Sequence, residues 1–154
     1  MQQKDNPQAV CSSTTLVVPP EMVHYLRDGL HNGIGNAAQA ISQVVVEAGH
    51  EQHPEWYREP LEHFDQIRAL LDLIGWDATG PPAEVRVDMR EHQQAILDAL
   101  RVEMMVGDAD LEEATAVDAE RARRGEPPKR EATTQRVLAL NKFVASVEAQ
   151  TSTG

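Results

Sequence analysis

Apolar and small residues recur in steps of three and four through a stretch containing three glycines, and that spacing decides most of what this chain can fold into. After Pro20 the positions Val23, Leu26, Leu30, Gly33, Ala37, Ala40 and Val44 keep the step unbroken. This is the stripe of an amphipathic helix, not the alternation of a strand. The stripe passes straight through GLHNGIGN at residues 29–36. A phosphate-binding loop would need a preceding strand and a Gly-Lys-Ser/Thr ending or the order GxGxxG, and neither is present. A hairpin turn would break the step. We therefore expect one bent helix that stops at Gly49, a glycine being suited to a helix C-terminus. Glycine inside a helix costs about 1 kcal/mol relative to alanine. Gly29, Gly33 and Ala37, at successive i, i+4 positions, are accordingly read as helix-packing or interface residues, a seam that a second helix approaches closely.

The remaining segments repeat the theme. Pro19-Pro20, Pro81-Pro82 and Pro127-Pro128 each precede a helix-compatible stretch, and proline is tolerated in a first helical turn because its missing N–H would have no partner there. A second helix carries Leu61, Phe64, Ile67, Leu70, Leu71 and Ile74, with Pro60 marking its expected start. A third runs from Ala83 through Val85, Met89, His92, Ile96, Leu100 and Met104 to Gly107. Residues 108–124 are charged with a thin apolar edge, and read as a short extra helix on the surface or against a partner. A last helix spans residues 132–150. Only Thr14 to Val18 has strand character, an extended arm of the sort that reaches across a dimer. The fold class expected is all-α, a helical bundle of about four principal helices with an extended N-terminal arm and a short charged extra helix. Residues 1–13 read as a flexible leader, 14–150 as a single domain and 151–154 as a disordered tail.

Composition narrows the function classes. The 154 residues suffice for one hydrophobic core, and 41% hydrophobic with 25% charged residues is the balance of a folded globular chain. No apolar run approaches the roughly 20 residues of a membrane span, and the first residues lack a secretory signal. A lone cysteine, Cys11, fits a reducing compartment. The expected location is cytoplasmic. Arginine outnumbers lysine and alanine and valine are abundant, as in GC-rich bacterial genomes. The net charge of -11 disfavours nucleic acid and anionic membrane as partners. Against that background Arg121, Arg123, Arg124, Lys129, Arg130 and Arg136 form a local basic patch. No aromatic residue is interleaved there for base stacking, so a charged connector is the plainer reading.

Chemistry is harder to find. Glu21 with His24 and Glu47 with His50 match the Glu-x-x-His pairs of di-metal bundles, but along one continuous helix they lie about 39 Å apart at roughly 1.5 Å per residue. His24, Asp28 and His31 at i, i+4 and i+7 share a helix face and form a candidate mononuclear site for a divalent metal such as zinc. His92, on an apolar stripe, reads first as a packed core histidine and second as a ligand or acid-base group. No nucleophile elbow is present.

These observations rank three readings. The first is a non-catalytic bundle acting through protein contacts, a homodimeric regulatory or scaffold module. The second is a metal-binding protein or metal-dependent enzyme using the histidine and carboxylate face. The third is a nucleic-acid-binding regulator using residues 121–136. No complete reaction site is legible, and no cofactor beyond that metal is expected.

Overall fold

A computed structural model describes residues 14–49, 51 and 53–152. The leader with Cys11, the ligand candidate His50 and the last two residues fall outside this set. Six elements follow in order: β1 (Thr15–Val18), α1 (Pro20–Ala48), α2 (Pro54–Ile74), β2 (Val85–Asp88), α3 (Met89–Arg123) and α4 (Glu131–Ser152). Four helices make the molecule an all-α bundle, with one small antiparallel ribbon of β1 on β2. No helix among the described residues is long and apolar enough to cross a membrane.

α1 is continuous for 29 residues through the glycine stretch, as the unbroken step requires. Its inner stripe, Val23, Leu26 and Leu30, is buried, and Gly49 with φ 61° closes it by returning its N–H to Val45 O. α2 begins at Pro54 and carries Pro60 inside rather than at its start. Proline at the seventh position removes one backbone hydrogen bond, and the buried stripe of Ile67, Leu70, Leu71 and Ile74 farther on offsets that loss.

Two expectations about the middle of the chain fail for local reasons. The stretch from Ala83 does not start a helix: Val85 to Asp88 pairs as a strand with β1, in the register Leu16↔Val87 and Val18↔Val85. Leu16, Val18 and Val87 bury one face of the ribbon. The Asp88 carboxylate accepts the Arg90 N–H at 2.9 Å, capping an α3 that begins at Met89 rather than at Ala83. The arm at Thr14 to Val18 thus finds its partner within its own chain. Gly107 does not end α3, which runs for 35 residues in all, about 52 Å at 1.5 Å per residue. The short charged helix expected at 108–124 is the second half of α3. Its thin apolar edge is enough because α4 lies along it, so that a Cβ built on Gly107 would stand 3.4 Å from Val137 Cγ2. α4 itself runs on through Ser152.

The helices form two hairpins, α1 with α2 and α3 with α4. Gly29 lies at Ala99, while residues 24–28 face 103–110 and residues 33–36 face 95–98, so α1 and α3 run antiparallel. One core of Leu26, Leu30, Leu70, Leu71, Ile96 and Leu100 fills the crossing.

Candidate functional site

The seam of small residues is used inside the chain. A Cβ built on Gly29 would stand 2.2 Å from the Ala99 carbonyl oxygen, and one on Gly33 would stand 3.1 Å from Ile67 Cδ1. Ala37 is buried as well. Gly29 therefore lets α3 approach and Gly33 lets α2 approach. These are helix-packing residues of the monomer.

His24, Asp28 and His31 share a face of α1 but are not brought together on one point. The His31 ring nitrogen Nε2 lies 2.6 Å from the Trp76 carbonyl oxygen, fastening the turn after α2. The His24 ring leans on Tyr25, centroids 3.9 Å apart. His24 and Asp28 both border a hollow of about 230 Å³, together with Tyr25, Glu103, Asp110 and Arg136. Burial, then the neighbouring Asp28 and Asp110 carboxylates, push the Glu103 carboxyl above its ordinary value of 4.5. Such a group holds its proton to higher pH than a solvated glutamate. Among the described residues no group of three or more His, Cys, Asp or Glu side chains could hold a metal ion. The His92 side chain is mostly covered, with Nε2 3.4 Å from a Glu91 carboxylate oxygen.

The basic patch turns out to be stitching for the α3–α4 turn. Arg121 donates to the Pro127 carbonyl at 2.8 Å and pairs with Glu126 at 3.2 Å. Arg123 pairs with Glu120, Arg136 with Asp110 at 3.9 Å, and Arg130 with Asp118 at 3.9 Å. Arg124 caps α3. Asp118, which sequence reasoning passes over, is buried, and its two oxygens accept the backbone N–H groups of Lys129 and Arg130 at 2.8 and 3.1 Å. A carboxylate held at the start of α4 also complements that helix's dipole. The local excess of positive charge is thus largely met by carboxylates around it.

What remains unexplained within the chain is the outer face of α1. Residues 29–46 contain no Asp, Glu, Lys or Arg in a protein that is 25% charged. Eleven of these eighteen positions are nevertheless exposed. Gly35, Ala38, Ser42 and Val45 follow one another at i, i+3, i+7 and i+10, all exposed, on a single strip of the helix. Val46 beside them is 78% exposed. A Cβ on Gly35 would meet nothing within 4 Å, and Gly35 does not adopt the positive φ that favours glycine. Neither conformation nor packing among the described residues accounts for that glycine, which costs the helix about 1 kcal/mol relative to alanine. Comparison of the chain with family models, with curated proteins and with solved structures finds no match in any of the three.

Proposed function

We propose that this protein is a non-catalytic interaction module that works as a homodimer, with the outer face of α1 as the seam between the two copies. The observation that carries the reading is an exposed helical face without formal charge, Gly35 to Val46, on a chain of net charge -11. A symmetric dimer sets one surface patch against itself, so charges of one sign on that patch are brought near one another. An acidic protein can approach itself at low electrostatic cost only where it carries no carboxylates. Gly35, Ala38 and Ser42 would let two α1 helices come close, and Val45 and Val46 would supply the apolar contact. The two hairpins then project from a shared α1 pair as surfaces for other proteins.

Ala38→Glu tests the reading. Ala38 is exposed in the single chain, so the change leaves the monomer fold within about 0.5 kcal/mol. In the dimer it faces its symmetry mate with like charge. The expected result is a fall in solution mass from twice 17.0 kDa to 17.0 kDa with an unchanged circular dichroism spectrum. A variant that keeps the wild-type mass refutes the seam.

A further inference from the structure

A second feature belongs to neither the dimer seam nor the acidic hollow. Between the first turns of α1 and the segment after α2 lies a cleft of about 540 Å³, within the range of small-molecule sites. Its apolar surface comes from Pro20, Val23, Ile74, Pro81, Pro82 and Val85. The segment that walls it is anchored. Arg27 donates through Nε to the Gly75 carbonyl at 3.0 Å and through Nη2 to the Ile74 carbonyl at 3.3 Å. His31 holds the Trp76 carbonyl at 2.6 Å. Positive φ at Gly75 and Gly80 and the fixed φ of the two prolines set the path of the chain from these anchors to Val85, which is held by its pairing with Val18. The cleft is therefore formed before any ligand arrives, which lowers the cost of binding.

Three charged side chains border it: Glu21, Arg27 and Asp77. Arg27 is already committed to the C-terminal carbonyls of α2, where a cation complements the helix dipole. The Glu21 and Asp77 carboxylates make no hydrogen bond or ion pair among the described residues. The cleft thus offers an apolar wall with two uncompensated carboxylates at its border, while the neighbouring positive charge is internally occupied.

We propose that this cleft binds a small organic cation, an ammonium group on an apolar body, with the body against Val23, Ile74 and the proline pair and the ammonium facing Glu21 and Asp77. The inference stands independently of the dimer reading. Three probes that share an indole body separate the contributions: tryptamine carries an ammonium, tryptophol a hydroxyl and indole-3-propionate a carboxylate. Isothermal titration should give tryptamine roughly five-fold tighter binding than tryptophol, as two exposed ion pairs would supply, and indole-3-propionate the weakest. The double variant Glu21→Gln, Asp77→Asn should bring tryptamine to the affinity of tryptophol while leaving the unfolding midpoint unchanged. The same titration on the Ala38→Glu variant keeps the result apart from that of the seam. Equal affinity for all three probes, tryptamine binding untouched by the double variant, or no heat with any probe would each overturn the proposal.

Discussion

Replacing Gly29 by alanine sets two known effects against each other at one position. The new Cβ would stand 2.2 Å from the Ala99 oxygen, 2.7 Å from its carbonyl carbon and 3.0 Å from its Cα. All three obstacles are backbone, so no side chain can swing aside. To reach the 3.4 Å at which ordinary contact begins, α1 and α3 must separate by about 1.2 Å at their crossing. Leu26, Leu30, Ile96 and Leu100, all buried there, lose part of their contact, since a gap of about 1 Å forfeits a quarter to a half of each dispersion well. Overpacking of this kind costs about 1–3 kcal/mol, and alanine's better helix propensity returns about 1 kcal/mol. Because the clash is with backbone, the upper part of the range applies and the net loss is about 2 kcal/mol. For a chain of this size that lowers Tm by roughly 4–8 °C. Thermal unfolding followed at 222 nm, with urea titration for the free energy, measures it. Gly35→Ala is the control on the same helix. Its Cβ meets nothing within 4 Å, so the same chemical change should raise the stability of the single chain by about 1 kcal/mol. A Gly29→Ala protein at least as stable as wild type would refute the helix crossing as described.

Two further substitutions test the polar interior. Asp118→Ala removes the acceptor of two backbone N–H groups at the start of α4 and should cost about 1–2 kcal/mol, visible as faster hydrogen exchange at Lys129 and Arg130; wild-type exchange there would contradict the cap. Glu103→Gln addresses pH. A carboxyl whose folded pKa is raised binds its proton more tightly in the folded state, so it favours folding below the ordinary value of 4.5 and progressively loses that contribution as pH climbs through the folded value. The variant should therefore be the more stable protein at neutral pH and lose less stability between acid and neutral pH; parallel stability curves for the two proteins would refute the raised pKa.

The helices were legible because their stripes are long. The step through Val23, Leu26, Leu30 and Gly33 survives three glycines, and continuity of α1 follows from it. Short-range competition was less legible. Val85, Arg86 and Val87 alternate over too few residues to outweigh the helical spacing that continues from Met89, and only Asp88, a residue type that caps helices, marks the change. Glycine carried an ambiguous signal. Gly107 resembles a stop but lies inside α3, whereas Gly29, legible as a helix-packing or interface residue, is used at the crossing with Ala99. Small residues on two faces of α1 look alike in sequence, and which face is covered depends on where α2 and α3 lie. Asp118 had no local signal, because the N–H groups it accepts sit eleven and twelve residues farther on and reach it only when the hairpin closes. The carboxylate partners of the basic patch were legible only in part: Glu120 and Glu126 lie near Arg123 and Arg121 in sequence, but only the closed hairpin sets Asp118 beside Arg130 and Asp110 beside Arg136.

The central claim is that the uncharged face of α1 meets a second copy of itself. Sedimentation equilibrium of the wild-type protein across a wide dilution series tests it most directly. The account predicts a mass of twice 17.0 kDa that declines toward 17.0 kDa only on strong dilution. A mass of 17.0 kDa at every concentration would contradict it.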